Sequence, residues 1–465
     1  MDRPTASSSQ DGADSKRRKS LWGGLFRKNE KASIEEEEYI KEMKRRMKLR
    51  EKSEKAERTR SFSEVPSDKF KTMSNSVGDT NPQQKNYSFY AERIEDLPVD
   101  ILESLERMRL PRSIVEANFE LVLNIVSFAD KHVPRRRFVT HAQMDVVRAN
   151  RKICESNVTD RILLSPDQAY ERYSFVDARA LYKWDVYLGH GGFGQVVEAK
   201  CKDKKDPTYG KRVALKFQNN SDLRGRRMNL EEVSLLKFCD HPNIVKLHRV
   251  LEVRSEVWMV MELMRGGNLR QASSSKVTPF REKEIAFVAR EALLGIQYLH
   301  QQQIVHRDLK DLNMMMSLDG EVKLIDFGLA VDMSNGPRVQ MVGSPQWMSP
   351  EMIRGEPHWF PVDIWSFMVC VLELANQKPR EKANVKRAMF LTATVGIPKK
   401  FEEPEKWTHS FKEFAEWGAI IYQEKRPTAT KLLEHSFIQS ACDIDQIKKR
   451  LHKVFMEKAV EKNFA

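Results

Sequence analysis

Residues Ile304 to Asn313 read I-V-H-R-D-L-K-D-L-N, and Asp326-Phe327-Gly328 follow a short way downstream. Transfer of a phosphoryl group needs an acceptor for the proton of the attacking hydroxyl and oxygen ligands for a divalent cation. Asp308 supplies the first, and Asn313 and Asp326 supply the second, with magnesium as the expected ion and manganese as the alternative. Either triplet, H-R-D or D-F-G, occurs by chance. The two in this order, with Lys310 and Asn313 at their offsets, form a specific signal. His306 reads as a packed histidine and not a base, because Asp308 already has the proton-accepting role. Glu321 to Ile325 form a strand that delivers Asp326. Met314, Met315 and Met316 alternate on another strand, with Met315 expected beneath the adenine ring of bound ATP.

Upstream, a strand pattern begins at Tyr182 and runs into a glycine-rich hairpin. Glycines at 189, 191, 192 and 194 let backbone amides close over phosphates, because side chains there would hold the amides away. The nucleotide is therefore assigned Leu188, Gly189, His190, Gly191, Gly192, Phe193, Gly194 and Val196, with Ala214 on the following strand. A lone G-x-G-x-x-G is weak evidence. Here Val196 follows it, and then R-V-A-L-K ending in Lys216, an order that argues for a phosphate-covering hairpin over a dinucleotide-binding turn. Lys216 is the candidate clamp on the α- and β-phosphates. In the helical run that follows, Glu232 sits on the face expected to turn toward Lys216, and Glu231 is the alternative. The apolar run from Val257 to Glu262 reads as a buried strand leaving into a Gly266-Gly267 turn. Met261 would guard the adenine pocket, and the backbone of Glu262 and Met264 would bond the base.

At 465 residues the chain exceeds one ordinary domain, and about two to three units are expected. Its formal charge of +13 and isoelectric point near 9.3 favour an anionic partner without choosing among lipid, acidic protein and nucleic acid, and no specific nucleic acid is assigned. Five scattered cysteines without C-x-x-C spacing suggest neither a disulfide framework nor a zinc site, and a reducing cytosol fits them best. No apolar run approaches the roughly 20 residues that span a bilayer, and an apolar signal core is missing at the start. Asp2 stands where an N-myristoylation signal needs glycine. The expected location is cytoplasmic, peripheral at a membrane if the basic segment below binds lipid.

Residues 1–95 read as a disordered basic region with one charged helix at about 33–58, opened by a Ser33/Glu36 capping box. Within it, Lys16, Arg17, Arg18, Lys19, Arg27 and Lys28 bracket Trp22, Leu25 and Phe26. Each cation near an anionic membrane is worth about 1 kcal/mol, so residues 16–28 read either as a lipid-binding patch or as a solvated tail. Residues 97–133 form a helical hairpin, with Ile101, Leu102, Leu105 and Met108 on one run and Phe119, Val122, Ile125 and Val126 on the next. It carries more apolar face than it can bury alone and should dock elsewhere. Residues 134–181 read as a linker, and residues 439–465 as an amphipathic helix with Ile444, Ile447, Leu451 and Val454 on one side.

Residues 182–438 resemble a eukaryotic protein kinase of the PAK and sterile-20-like type. The stretch M-V-G-S-P-Q-W-M-S-P-E, Met341 to Glu351, and V-D-I-W-S-F, Val362 to Phe367, carry the narrower likeness. The resemblance implies an α+β, two-lobed fold with a small β-rich lobe and a larger helical one, and a serine/threonine kinase acting on protein substrates with ATP and magnesium. It further implies that Lys310 and Ser344 steady Asp308, that Asp363 anchors the catalytic loop, and that Glu351 pairs with Arg426. Residues 97–130 are similar to that family's autoinhibitory segment. Its GTPase-binding motif is echoed around Pro66 to Phe70 without the paired histidines, so binding of a Rho-type small GTPase is not carried over.

Two departures alter the expectation. The phosphorylated threonine of the family's activation loop falls on Gln340, where no phosphate can form to pair with Arg307, so activity is expected without phosphorylation there. Leu312 stands where a carboxylate often selects substrate arginine, so a weakened preference for basic substrates is expected. The rival reading is a pseudokinase scaffold acting by binding alone.

Overall fold

The computed structural model describes residues 97, 99–110, 112–129, 162–191, 194–273, 279–377, 384–397 and 400–464. The basic segment 16–28, the charged helix at 33–58 and the 134–161 part of the linker lie outside them.

The smaller lobe is a six-stranded sheet in the order β1-β5-β6-β4-β3-β2. Its strands are β1 (Glu171–Tyr173), β2 (Tyr182–Gly191), β3 (Gly194–Cys201), β4 (Arg212–Asn219), β5 (Leu247–Val253) and β6 (Glu256–Glu262). All neighbours are antiparallel except β1, which joins β5 in parallel. The alternation along β4 decides which side chains reach the cleft. Val213 and Leu215 pack with Trp258 and Val260 on one face, which leaves Ala214, Lys216 and Gln218 on the other. In register, Lys216 lies opposite Val196 on β3 and Met259 on β6.

The stretch 162–181, expected to be linker, is folded and belongs to this lobe. It contains helix α4 (Pro166–Ala169), strand β1 and helix α5 (Phe175–Leu181). Ala178 of α5 enters the cluster of Trp258 and Leu215 and so covers the outer face of the sheet. Helix α6 (Leu223–Phe238) covers the inner face through Val233, Leu235 and Leu236.

The larger lobe is built on two long helices, α8 (Glu282–Gln301) and α10 (Pro361–Asn376), with α7 (Leu269–Ser273) at the hinge. Helix α10 is apolar on nearly every side and buried along its whole length, as a central core helix must be. Around it lie α9 (Pro350–Arg354), α11 (Val385–Val395), α12 (His409–Gly418), α13 (Ala429–Leu433), α14 (Ser436–Gln439) and α15 (Ile444–Phe464). Strands β7 (Gly266–Asn268), β9 (Met314–Ser317) and β10 (Val322–Leu324) form a three-stranded sheet, and β8 (Ile304–Val305) pairs with β11 (Val331–Asp332). The expected Gly266-Gly267 turn is thus strand, paired with Ser317 and Met316. Phe455 of α15 lies over it, so closely that a Cβ on Gly267 would come within 2.4 Å of its ring. On α15, Ile447, Leu451 and Val454 are buried as the periodicity predicts, while Ile444 is largely exposed.

The expected hairpin is three helices, α1 (Val99–Met108), α2 (Arg112–Ala117) and α3 (Phe119–Ala129). Its apolar face is buried against the larger lobe. Ile101, Met108, Val122, Ile125 and Val126 share one cluster with Met348, Met352 and Ile353 near α9 and with Met389, Phe390 and Ala393 on α11. At the rim Asn384 donates to the Arg107 carbonyl at 2.6 Å, Arg387 donates to the Arg109 carbonyl at 3.0 Å, and Lys386 bonds the Ser104 hydroxyl. Among the described residues no helix is long and apolar enough to cross a membrane.

Candidate active site

Between the lobes the expected side chains converge. Lys216 Nζ lies 2.7 Å from Glu232 Oε1 and 2.9 Å from Asp326 Oδ1. Burial works against its ammonium, but the two carboxylates outweigh burial and hold the lysine's pKa above the ordinary value. Asp326 is the counterpart. Burial would raise its pKa, while Lys216 first, then Lys310 and His306, hold it below the usual carboxylate range. Asp326 also has φ of +66°, a left-handed conformation costly for a non-glycine residue and common where a site fixes a side chain's aim. Glu231, the alternative partner for Lys216, instead meets Arg227 at 2.8 Å one turn away on α6, so the geometry selects Glu232.

Asp308 is buried and fully engaged. Lys310 Nζ donates to its Oδ2 at 2.6 Å, Asn313 Nδ2 to the same oxygen at 3.2 Å, and the Ser344 hydroxyl to Oδ1 at 2.8 Å. Lys310 also reaches Ser344 Oγ at 3.1 Å, which ties the catalytic loop to the activation segment. Because Asn313 spends its amide nitrogen on Asp308, including the backbone carbonyl at 2.9 Å, its amide oxygen is left as the atom suited to a cation. A carboxylate and an amide oxygen are a donor set that magnesium accepts, so Asp326 and Asn313 fit the expected metal. Gly343 has φ of +103°, and a Cβ there would meet the Arg307 carbonyl at 2.5 Å, so only glycine lets the two segments come this close.

The catalytic loop hangs from Asp363. Its carboxylate accepts from the backbone of His306 at 2.8 Å and Arg307 at 2.9 Å, and His300 Nε2 stands 3.1 Å away. Burial pushes the Asp363 pKa up, but these bonds outweigh it and the net direction is down. His306 is wholly buried. Its Nδ1 accepts from the Asp308 amide at 3.3 Å, its Nε2 donates to the Ile325 carbonyl at 3.0 Å, and its ring packs on Phe327. Glu351 and Arg426 form a bidentate pair at 2.8 and 3.1 Å.

Around the nucleotide position, Val196 lies opposite Lys216 on β3, Ala214 precedes Lys216 by two residues on the same face of β4, and Leu188 is exposed at the hairpin's start. Gly189, His190, Gly191 and Gly194 continue the hairpin backbone, while Gly192 and Phe193 lie outside the described residues. Met261, Glu262 and Met264 follow one another at the hinge, each partly buried, and Lys323 Nζ meets Glu262 at 3.0 Å. Met314 and Met316 are core, and Met315 turns to the opposite, partly open face.

Two participants escaped the sequence reading. Gln218 donates to Glu232 Oε2 at 2.7 Å, so both oxygens of that carboxylate are occupied; its place two residues after Lys216, on the same strand face, was the available signal. Asp311 accepts from Arg270 at 2.6 and 2.9 Å, and Leu312 beside it is exposed.

The protein kinase domain model matches residues 182–438. Among curated proteins, the chain is 43% identical over 279 residues to the probable serine/threonine-protein kinase mkcB of Dictyostelium discoideum, covering 60% of this chain and 38% of that protein. It is 34% identical over 270 residues to the serine/threonine-protein kinase shk1/pak1 of Schizosaccharomyces pombe, covering 57% and 40%. With STE20 of Debaryomyces hansenii it shares 32% identity over 288 residues, covering 61% and 26%. The chain therefore spans two fifths or less of the length of these relatives.

Proposed function

The chain belongs to the protein kinase family, and on that premise we propose that it is an ATP-dependent serine/threonine kinase of the PAK and sterile-20-like type, acting on protein substrates. The observation that carries this reading is the pair of bonded groups at the cleft, Lys216 with Glu232 and Asp326, and Asp308 with Lys310, Asn313 and Ser344. Asp308 orients the substrate hydroxyl and accepts its proton. Lys310 and Ser344 hold Asp308 in place, and Lys216, fixed by Glu232 and Gln218, clamps the α- and β-phosphates. Asn313 and Asp326 offer oxygens to magnesium, which when bound neutralises charge on the transferred phosphoryl group. In a radiolabelled assay, Lys216→Met should reduce incorporation by about a thousandfold. Phosphoamino-acid analysis should return serine and threonine. Labelled tyrosine alone would overturn the assignment.

Helices α1 to α3 act, in this reading, as an autoinhibitory segment. They cover Met348 and Met352, which lie just beyond Ser344 on the segment that steadies Asp308, and they partly cover Met341 before it. Residues 16–28 would add attraction to anionic lipid, and a Rho-type GTPase is not assigned. Substrate choice should not favour arginine upstream of the target, because Leu312 is apolar and Arg270 already neutralises the adjacent Asp311. A peptide library selecting arginine two or three residues upstream would refute that preference.

A further inference from the structure

Helix α6 carries Glu232, and its first half is held near its own start, by the Asp222 cap and by bonds from Arg226 and Asn229 to the Asn220 and Asn219 carbonyls. Leu223, Arg224, Arg226 and Arg227 are exposed, and burial begins only at Asn229. The part that is buried is gripped on the side away from the cleft by the segment that precedes the kinase-matched region. Glu232 and Ser234 are two residues apart on the helix, about 200° around its axis, so one faces Lys216 while the other faces outward. Ser234 Oγ accepts from the Leu164 amide at 3.1 Å and donates to the Leu230 carbonyl at 2.6 Å. One turn on, Lys237 Nζ donates to the Gln168 carbonyl at 3.0 Å. Ile162, Ala169 and Tyr170 are buried in the same cluster as Val233, Leu235 and Leu236.

The segment is itself anchored to the sheet. Strand β1 adds to β5 with Glu171 opposite Leu251 and Tyr173 opposite Val253. The Arg249 guanidinium gathers Glu171, Asp203 and Asp206 and donates to the Tyr173 hydroxyl at 2.8 Å. Helix α4 is closed by a Ser165/Gln168 capping box with Pro166 in its first turn, so it is stiff despite its length.

We propose that residues 162–173 are a brace that presses α6 into the position where Glu232 meets Lys216, with Leu164, Tyr170 and Ser234 as positioning residues for the phosphate clamp. The buried Tyr170 hydroxyl lies in the same field as the pair it supports, its pKa raised by burial first and then by the carboxylates of Glu252 and Glu232. A kinase needs its lysine–glutamate pair in place to act, so the brace would set nucleotide affinity from outside the catalytic cleft. This inference rests on the kinase reading for its consequence, while the brace itself can be read by binding.

The test uses the full chain and Tyr170→Ala, alone and combined with Glu232→Gln. Affinity for magnesium-ADP and KM for ATP should each weaken about tenfold in Tyr170→Ala, because the packed ring that holds α6 against the cleft is removed. KM for a peptide substrate should stay within about twofold of wild type, since Asp308, Lys310 and Ser344 sit on the larger lobe and, among the described residues, make no bond to α6. In the Glu232→Gln background, Tyr170→Ala should weaken ADP binding no further, because the brace acts only through that glutamate. The same tenfold loss in both backgrounds, or no loss in either, overturns the proposal. Should Tyr170→Ala fail to fold, Ser234→Ala, which keeps the helix and removes the hydroxyl that accepts from Leu164 and donates to Leu230, carries the test with a loss of about threefold; unchanged ADP affinity then overturns it. Absence of turnover in every protein, wild type included, would count against the kinase reading alone, because ADP binding still reports on the brace.

Discussion

Arg426 is buried in the larger lobe and Arg307 half-buried there, and their surroundings treat them in opposite ways. Arg426 is wholly enclosed and fully met: two bonds to Glu351, and further bonds to the carbonyls of Ile420, Pro361 and Ile421 at 3.0, 2.7 and 3.3 Å. Arg307 donates through Nε to the Leu329 carbonyl at 2.8 Å, but its Nη1 is buried with no hydrogen-bond partner among the described residues. Burial, and then the neighbouring Arg338, pull its pKa down to about 10. The frame of the lobe is thus electrostatically closed, whereas Arg307, on the activation-segment side, has no carboxylate bonded to it among the described residues. Gln340, exposed and neutral, adds no charge to this side.

The sharpest way to break this comparison is to remove each arginine in turn. Arg426→Met strands a buried carboxylate and should cost about 3–5 kcal/mol, a fall in melting temperature of roughly 10 °C for a domain of this size. Arg307→Met removes a poorly compensated charge and should change stability by no more than about 1 kcal/mol. Equal losses in thermal unfolding would erase the distinction.

Next in size is the release of the docked helices. Ile125→Asp places a charge in the cluster with Met352 and Met389, where burial without a partner is prohibitive. The helices should detach, and kinase activity should rise about tenfold if docking holds back about 1.4 kcal/mol. Unchanged or lower activity in a folded protein would argue that they are structural only.

A smaller effect should follow from charge at position 340. Gln340→Glu should change stability by no more than about 1 kcal/mol, since an exposed carboxylate on this segment is worth little more even where it meets a guanidinium. Wild-type protein treated with phosphatase should keep its activity. Recovery of activity only after phosphorylation of the loop would show that a charge supplied elsewhere is needed.

The smallest is a pH signature. His358 is fully buried beside this region, and burial lowers its pKa from 6.5 to about 4. Between those values the unfolded chain takes up the proton first, so stability should fall as pH drops from about 6.5 toward 4 and be intact above it. His358→Gln should flatten urea unfolding midpoints across that window, and an unaltered slope would place the titration elsewhere.

The cleft was legible because its chemistry sits in short, ordered motifs whose offsets along strand and helix translate directly into facing directions. Lys216 and Asp326 needed only the period of two along β4 and the turn after β10. The brace was not legible. Its signal is one capping box and a three-residue strand, and its partners Ser234 and Arg249 lie about 70 to 80 residues away, too far for any local pattern to announce. Gly266-Gly267 misled for a similar reason: glycines suggest a turn, but here they admit the ring of Phe455 from the far end of the chain. The docking of α1 to α3 stood between these cases. Its unpaired apolar face was plain in the sequence, while its seat on α9 and α11 required the folded chain.

The most direct test of the central claim is transfer of labelled γ-phosphate from magnesium-ATP to a protein substrate by wild type and by Asp308→Ala, with ADP affinity measured on both. Loss of transfer by about a thousandfold with nucleotide binding retained is the expected result. Equal transfer by wild type and Asp308→Ala, or none by the Ile125→Asp protein with its docked helices freed, would contradict it.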